Sequence, residues 1–468
     1  MVAVEVLQIL TLVLSRSWGY NMFSANTLID KLNTLISSGS LTENQLLQAF
    51  GAIESLEQKG VYSVYYETDL PLASLNEGRF IFIESTGKYV FSNGSTWSIN
   101  NILINFDVNG YSWGSAAYGR LGNNTSGVSR SSPVSLFGTF TDWIQLNTGP
   151  ISIHTLALRA NGTAWAWGQG TSGRLGDGTA TARSSPVSVI GGFTDWIQVS
   201  AGTAHSLGLR ANGTAWAWGE ATSGKLGDGT ATVRSSPVSV VGGFTDWIQV
   251  SAGGAHSLGL RANGTAWAWG SALTGRLGDG TIVSKSSPVS VVGGFTDWIQ
   301  VSAGDIHSLG LRANGTIWSW GSAQYGRLGD NTTVSKSSPV SVVGGFTDWV
   351  QVSAGGYHSL ALRANGTVWG WGRGFFGNIG NNSNANISSP VSVVGGFTDW
   401  VQVSAGFTHS IAIRSNGTAW TWGQNNSGQL GDNNGAVLSR SSPVSVVGGF
   451  TDWIQVSAAS AHSVGVTR

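Results

Sequence analysis

Seven histidines recur at one repeated position of the sequence, and each is followed directly by serine or threonine. They are His154, His205, His256, His307, His358, His409 and His462. An aspartate also precedes a tryptophan in every repeat, so each repeat carries the three residue types of a Ser-His-Asp catalytic device. A catalytic site is one asymmetric constellation, whereas these residues occur in seven equivalent copies. The pattern therefore favours a scaffold role, such as a hydrogen bond between repeats, and predicts no catalytic residue.

Metal and cofactor sites are also disfavoured by the residue pattern. The histidines are spread along the chain, whereas metal ligands must converge to about 2 Å from one ion. The absence of cysteine excludes disulfides and thiolate metal sites. Asp-Gly pairs such as Asp228-Gly229 lack the alternating carboxylates of a calcium loop and indicate turns. Asn-Gly-Thr, as at Asn212, matches a glycosylation sequon, but a hairpin turn already accounts for Asn-Gly. We predict no metal and no cofactor.

A repeat of 51 to 53 residues positions these side chains. The string Thr-Asp-Trp-Ile/Val-Gln occurs seven times. Its tryptophans are Trp143, Trp196, Trp247, Trp298, Trp349, Trp400 and Trp453. A second string, Asn-Gly-x-x-Trp-x-Trp-Gly, has the same period. A fixed period of this size indicates a solenoid, an open array or a propeller.

Each repeat is predicted to form four short strands. In the unit that starts at Asp195, strands are expected over residues 196–200, 205–210, 214–218 and 236–241. Asn212-Gly213 is a hairpin signal between the second and third strands. Pro237 is expected near the start of the fourth, where the missing N–H is tolerated. Four antiparallel strands per repeat make one propeller blade.

The two ends of the repeat array are complementary fragments. The chain ends with strands one and two of a repeat, and residues 106–134 supply strands three and four without one and two. Joining both ends in one blade closes a ring and removes exposed sheet edges. The predicted fold is therefore an all-β, seven-bladed propeller over residues 106–468, preceded by a small α+β region over residues 1–105.

Charge argues against a nucleic-acid partner. Lys+Arg and Asp+Glu both number 24, so the net charge is zero, and a basic stripe is not expected. Residues 2–14 are mostly apolar but shorter than the ~20 residues that a membrane span needs. We therefore expect no nucleic-acid partner and no membrane span.

Each repeat carries three short motifs in a fixed order: Gly202 before His205-Ser206, then Trp218-Gly219, then Gly224-Lys225-Leu226-Gly227. This order recurs over residues 106–468. On these motifs the repeat resembles the RCC1 repeat family, named for the regulator of chromosome condensation. The resemblance implies a seven-bladed propeller. It does not imply the nucleotide-exchange activity of the founding member, which uses an acidic surface and a protruding wedge, because this chain has neither an acidic cluster nor an insertion longer than two residues.

A looser resemblance concerns the composition of the repeats and their similarity to one another. The repeats are nearly identical and rich in Gly, Ser, Thr and Asn, which looks like virion proteins of tailed bacteriophages. Residues 78–97 look similar to small β modules of phage tail and fibre proteins. This resemblance implies a virion component.

Residues 1–105 do not repeat. Helices are expected at residues 2–15, with a strand as the alternative, at about 27–36, and from Thr42 to Gly60 with a capping box to Gln45. Strands are expected at 61–67, 80–83 and 88–91, with a turn at Asn93-Gly94. The region is either a cap on the propeller or an anchor that docks it to an oligomer or a virion shell. We favour the anchor, because a run of apolar residues needs a partner surface.

Variation between repeats is concentrated in the loops of one propeller face. These are the loops between strands one and two and between strands three and four. The candidate binding residues there are Tyr325, Tyr357, Phe375, Phe376, Phe407, Arg373 and Asp305. Exposed aromatics grouped in three consecutive blades indicate a contact patch. In the alternative, longer loops simply tolerate change, and Phe375 and Phe376 fold inward.

The sequence thus predicts a non-enzymatic structural or binding protein of a virion. It would be a component of the tail, of a fibre or of the capsid decoration. Other virion proteins would bind through residues 1–60, a host protein or glycan would bind the variable face, and a homo-oligomer is one form of assembly. The alternative is a cytoplasmic or extracellular interaction module, such as an exchange-factor-like regulator, an inhibitor or an adhesin.

Overall fold

The computed structural model describes residues 63–64, 80–83, 88–92, 97–98, 108–434 and 439–468. The chain divides into two units, Met1–Phe106 and Asp107–Arg468. Four strands of the first unit form one sheet: β1 Ser63–Val64, β2 Phe80–Ile83, β3 Lys88–Ser92 and β4 Trp97–Ser98. β1 is parallel to β2, and the other neighbours are antiparallel. The strands predicted at 80–83 and 88–91 are present, whereas the predicted helices and the turn at Asn93-Gly94 lie outside the described residues.

The second unit consists of seven four-stranded sheets, and each sheet is one blade. Blades 1 to 3 contain β7 Trp143–Asn147, β8 His154–Arg159, β9 Ala164–Gly168, β10 Arg183–Ser188, β11 Trp196–Ala201, β12 His205–Arg210, β13 Ala215–Gly219, β14 Arg234–Ser239, β15 Trp247–Ala252, β16 His256–Arg261, β17 Ala266–Gly270 and β18 Lys285–Ser290. Blades 4 to 6 contain β19 Trp298–Ala303, β20 His307–Arg312, β21 Ile317–Gly321, β22 Lys336–Ser341, β23 Trp349–Ala354, β24 His358–Arg363, β25 Val368–Gly372, β26 Ile387–Ser392, β27 Trp400–Ala405, β28 His409–Arg414, β29 Ala419–Gly423 and β30 Arg440–Ser445. Blade 7 contains β31 Trp453–Ala458, β32 His462–Thr467, β5 Asn109–Gly114 and β6 Arg130–Ser135.

Blade 7 closes the ring by pairing the end of the chain with the start of the propeller. β32 pairs antiparallel with β5, with His462 opposite Gly114 and Thr467 opposite Asn109. This confirms the predicted seven-bladed propeller and its closure by complementary ends. Closure leaves no terminal blade with an unpaired sheet face.

The fourth strand of each blade begins earlier than predicted. In blade 2, β14 starts at Arg234, so Pro237 is its fourth residue rather than one near the start. Arg234 pairs with Gly219 and Val238 pairs with Ala217, with a register shift between them. This irregularity of the outermost strand accommodates Pro237, because an edge strand or a bulge does not need its N–H.

The hydrophobic core is divided into seven clusters, one between each pair of neighbouring blades. Between blades 1 and 2, Ala164 and Ala166 of β9 meet Trp216 and Trp218 of β13. Alternate residues of a strand point to opposite faces. The Ala-Trp-Ala-Trp pattern of strand three therefore presents tryptophans to the preceding blade and alanines to the following one, and the large side chains fill the space that the small ones leave.

Short turns shape the loops after strand three. Single 3-10 turns occur in five of these loops, at Ala117–Gly119, Thr171–Gly173, Thr222–Gly224, Leu273–Gly275 and Gln324–Gly326. Their central residue has a left-handed backbone, as at Tyr325 with φ 66°. This conformation is uncommon for residues other than glycine.

Candidate binding face and the histidine ring

The seven histidine side chains are fully buried, and each one contacts the following blade. Their Nε2 atoms lie 2.8–3.2 Å from a serine or threonine hydroxyl. In ring order the pairs are His154–Ser206, His205–Ser257, His256–Ser308, His307–Ser359, His358–Ser410, His409–Ser463 and His462–Thr155. The last pair connects blade 7 to blade 1, so the contacts form a closed ring.

At the six histidine–serine contacts, a third group fixes the direction of the hydrogen bond. The Ser308 hydroxyl donates to the carbonyl of Arg276 at 2.9 Å. Because a hydroxyl has only one hydrogen, its oxygen must accept from Nε2 of His256, 2.9 Å away. Trp320 donates its Nε1–H to the same carbonyl at 3.0 Å. Histidine, serine and tryptophan thus fasten blade 3 to blade 4.

The same arrangement is unsuited to nucleophilic catalysis. A catalytic serine gives its proton to histidine, whereas Ser308 gives it to a backbone carbonyl. Nδ1 of His256 is buried and has no hydrogen-bond partner in the described part of the chain. Burial, followed by the positive charge of Arg276, lowers the pKa of His256 well below its usual value. The imidazole is therefore neutral at pH 7 and is held as an Nε2–H donor.

In blades 1 to 6 the aspartate before the repeated tryptophan is paired within its own blade. In blade 2, Asp195 accepts from Nε of Arg210 at 2.8 Å. The Arg210 guanidinium lies 4.1 Å from the centre of the Phe193 ring. Equivalent ion pairs occur in blades 1 to 6: Arg159–Asp142, Arg210–Asp195, Arg261–Asp246, Arg312–Asp297, Arg363–Asp348 and Arg414–Asp399. The aspartate of the imagined catalytic device therefore serves an arginine rather than the histidine.

A second ring of inter-blade hydrogen bonds lies along the innermost strands. The Gln300 side-chain oxygen accepts from the N–H of Val352 at 2.9 Å, and Ser302 accepts from the N–H of Ala354 at 3.0 Å. The glutamine contact recurs at all seven junctions. These bonds satisfy N–H groups on the open edge of strand one. This role was not predicted from the sequence, although the repeated Gln of Thr-Asp-Trp-Ile/Val-Gln carries the signal.

The inner serines also line a polar central cavity of about 120 Å³. Its walls include Ser200, Ser251, Ser302, Ser353 and Ser404. Each of these five hydroxyls already accepts an N–H from the next blade. The cavity wall is thus part of the scaffold of the ring.

The aromatic patch comprises Tyr325, Tyr357, Phe375, Phe376, Phe407 and Arg373, and the structure brings these predicted residues together. The ring centres of Tyr325 and Tyr357 are 6.2 Å apart, and those of Tyr357 and Phe407 are 4.7 Å apart. Phe375 and Phe376 form an edge-to-face pair at 4.8 Å. Loops of blades 4, 5 and 6 supply these side chains, so the patch forms only in the folded ring.

Arg373 joins the two groups of rings. Its guanidinium carbon lies 4.8 Å from the Tyr357 ring centre and 5.1 Å from those of Tyr325 and Phe375. These distances are within the range of cation–π attraction. Phe375 is 58% exposed, so it does not fold inward as the alternative interpretation supposed. The other aromatic members of the patch are half-buried.

Arg327 lies beneath the patch and was not among the residues predicted from the sequence. Its side chain is fully buried, and its guanidinium carbon lies 5.7 and 5.5 Å from the ring centres of Tyr325 and Tyr357. It donates from Nη1 to the carbonyl of Gly356 at 3.0 Å. Burial lowers the pKa of Arg327 to about 10, so it stays charged at pH 7. The signal in the sequence is an Arg or Lys before Leu-Gly, which is replaced by Asn378 in blade 5 and by Gln429 in blade 6.

Asp305 lies beside the arginines beneath the patch. Its backbone carbonyl accepts from Arg276 at 3.3 Å, and its carboxylate interacts with the charges of Arg276 and Arg327. Burial nevertheless raises the pKa of the Asp305 carboxyl. Asp305 is therefore a neighbour of the patch rather than one of its ring contacts.

The described residues contain no group of three or more His, Cys, Asp or Glu side chains that could hold a metal ion. Within the same residues, no helix is long and apolar enough to cross a membrane.

Comparisons with known proteins place this geometry among related propellers. The family model described as RCC1-like domain matches residues 194–468, and the RCC1 repeat matches residues 161–209. The E3 ubiquitin-protein ligase HERC2 of Homo sapiens is 31% identical over 342 residues, which cover 70% of this chain and 7% of the ligase. This chain therefore spans only a small part of that relative. The ultraviolet-B receptor UVR8 of Arabidopsis thaliana is 29% identical over 328 residues, which cover 68% of this chain and 74% of the receptor.

Solved structures share the fold. Prp20p from Saccharomyces cerevisiae superposes with a TM-score of 0.68 at 22% identity, covering 77% of this chain and 91% of the yeast chain. Yeast RCC1 (Prp20) in its complex with Kap60 has the same TM-score at 21% identity, covering 77% of this chain and 89% of that one. At this level of identity the likeness concerns the fold alone.

Proposed function

The chain belongs to the RCC1-like domain family, and from that membership we infer that it is a protein-interaction module whose contact face is the aromatic patch of blades 4 to 6. Propellers of this family are usually binding modules without catalytic residues. The relatives extend the argument by analogy: Prp20p is described by its binding to Gsp1p and histones, and yeast RCC1 has been solved with Kap60. A protein partner is therefore the ligand class that the family favours.

One observation carries the choice of the aromatic patch. The loop position of Phe375 is Thr171 in blade 1, Thr222 in blade 2 and Leu273 in blade 3. Blades 1 to 3 have the same four strands without aromatic residues there. The aromatics of blades 4 to 6 are thus not required to build a blade. Partly exposed aromatics around an arginine are typical of the residues that dominate binding energy in protein interfaces.

The virion interpretation remains a prediction. It assigns residues 1–60 to attachment, and these lie outside the described residues. The relatives above come from yeast, a plant and a mammal, which favours the alternative of an interaction module. Light scattering of the purified chain with and without residues 1–60 tests the attachment role. A multimer that becomes a monomer on truncation supports it, and a monomer in both forms contradicts it.

Peptide display tests the contact face. A library of short random peptides is selected on the full chain, and binders are then measured on the variants Phe375→Ser, Tyr357→Ala and Leu273→Ser. Leu273 is the matched control, because it occupies the position of Phe375 in blade 3 and is 66% exposed. We expect the two patch variants to weaken binding about tenfold or more and the control to leave it unchanged. Binders that tolerate both patch variants, or a library that yields none, would contradict the proposal.

A further inference from the structure

We propose that the aromatic patch recognises a carboxylate of its protein partner, with Arg373 as the residue that binds it and Arg327 as a second positive charge beneath. The partner segment would present Asp or Glu next to an apolar side chain. This inference rests on the proposed function, and it adds the chemistry that the patch selects.

Arg373 has no carboxylate partner within the described residues. Arg373 forms no ion pair with any of the described residues. Its guanidinium contacts aromatic rings instead. The equivalent position in blade 2 is Glu220, which pairs with Lys225 at 3.2 Å. Blade 5 reverses this charge and places neutral Asn378 at the position of Lys225. The fold therefore does not require the cation at position 373, and its five N–H donors are available to a ligand.

Arg327 contributes an unsatisfied donor at the same place. Its Nη2 is buried and has no hydrogen-bond partner among the described residues. A buried guanidinium donor without a partner is destabilising, because it has lost its water without gaining an acceptor. The equivalent Arg174 uses its Nη2 to donate to Thr171 at 2.9 Å. In blade 4 Gln324 replaces this threonine, and it accepts from Arg327 only through its backbone carbonyl, at Nε.

Two like charges share the same tyrosine rings. Arg327 and Arg373 both lie within 6 Å of the ring centres of Tyr325 and Tyr357. The neighbouring acid is Asp305, which also faces Arg276. The charges of Arg276 and Arg327 thus act on one carboxylate, and burial raises the pKa of that carboxyl. An added anion would relieve the excess of positive charge, and a carboxylate fits the flat fork of an arginine with two hydrogen bonds.

The surroundings favour a protein carboxylate over a nucleic acid. Phe375 is 58% exposed and its ring centre lies 5.1 Å from Arg373, so an apolar group would be bound beside the charge. A nucleic acid is bound through many phosphate contacts and needs an extended basic surface. This chain has zero net charge.

Synthetic peptides provide the test. Peptides selected on the full chain are sequenced. One acidic binder is compared with a neutral counterpart in which its Asp is changed to Asn and its Glu to Gln. Both peptides are measured on the wild-type chain and on the variants Arg373→Gln and Arg373→Lys. Gln169→Ala is the control, because residue 169 is the equivalent position in blade 1. We expect acidic residues to be enriched. The neutral peptide should bind the wild-type chain about tenfold more weakly than the acidic one, and Arg373→Gln should weaken binding of the acidic peptide by about the same factor. The neutral peptide should lose no further affinity on Arg373→Gln. Arg373→Lys should retain part of the affinity, and higher ionic strength should weaken binding.

The outcomes separate this inference from the proposed function. If the selected peptides are neutral and still lose affinity on Phe375→Ser, the aromatic patch remains the contact face and the carboxylate inference is wrong. Equal binding of acidic and neutral peptides overturns it as well. A single-stranded oligonucleotide that binds the wild-type chain through Arg373 while acidic peptides do not would assign the site to nucleic acid instead.

Discussion

Nε2 of His462 lies 3.2 Å from Oγ1 of Thr155, although 307 residues separate the two along the chain. His462 belongs to β32 of blade 7 and Thr155 to β8 of blade 1, so this contact spans the last junction of the ring. The other six junctions use the same geometry with serine in place of threonine. The propeller is therefore fastened by a repeated polar contact as well as by its seven apolar clusters.

Acid is expected to destabilise the propeller through its histidines. Burial lowers the pKa of His358 and of His409 from 6.5 to about 3. The unfolded chain binds these protons below pH 6.5 and the folded chain does not, so this stability is fully present above pH 6.5 and is lost as the pH falls toward 3. Each such histidine should lower the free energy of unfolding by about 1.4 kcal/mol per pH unit within this window.

Urea denaturation between about pH 7 and pH 5, where carboxylates remain ionised, measures this slope. The variant His358→Gln should reduce the slope by the contribution of one proton. A free energy of unfolding that does not change over this range would contradict the neutral, buried state of the ring.

Removing one serine of the ring should loosen one junction. Ser308→Ala leaves the Nε2–H of His256 without its acceptor, which costs about 1–3 kcal/mol for a buried donor. The matched control is Ser338→Ala, because Ser338 is exposed on the outer strand β22. Chemical denaturation of both variants gives the difference. Equal stabilities would show that the histidine contact adds nothing to the ring.

Within the described residues, blade 7 lacks the Arg–Asp ion pair that blades 1 to 6 contain. Thr467 stands where blade 2 has Arg210, and burial raises the pKa of the Asp452 carboxyl. Thr467→Arg should supply the missing cation, lower the pKa of Asp452 and stabilise the fold by up to about 1 kcal/mol at neutral pH, with the gain lost as the carboxyl is protonated in acid. NMR titration of the Asp452 carboxyl measures the change. A pKa that stays raised would mean that the arginine does not reach the aspartate.

Closure of the ring is expected to be essential for cooperative folding. Deleting residues 453–468 removes β31 and β32 and leaves β5 paired with β6 alone. The near-ultraviolet circular dichroism of the buried tryptophans and a single unfolding transition should then be lost. As a control, a circular permutant can join Thr467 to Asn109 through an Asn-Gly turn, because these two residues are opposite each other. The permutant should fold. If the permutant does not fold but the truncated chain does, pairing of β32 with β5 is not what the fold requires.

The sequence by itself determined the number of blades, the four strands of each blade and the blade in which the chain ends meet. The reason is that the repeat is strict: every position recurs in the same local pattern, and the incomplete ends at residues 109 and 467 can pair only with each other. Sequence patterns located β12 from His205 to Arg210. They misplaced β14 by two residues, because a register shift opposite Gly219 cannot be deduced from alternation alone.

The tertiary structure decided what the repeated side chains do. Whether His256 contacts an aspartate of its own repeat or a serine of the next depends on the distance between blades, which local sequence does not contain. The same holds for the aromatic patch: Tyr325, Tyr357 and Phe407 come from three blades, and only ring closure brings their side chains into contact. Arg327 became visible as part of this surface because its burial and its unpaired Nη2 are properties of packing and not of the Arg-Leu-Gly pattern in which it occurs.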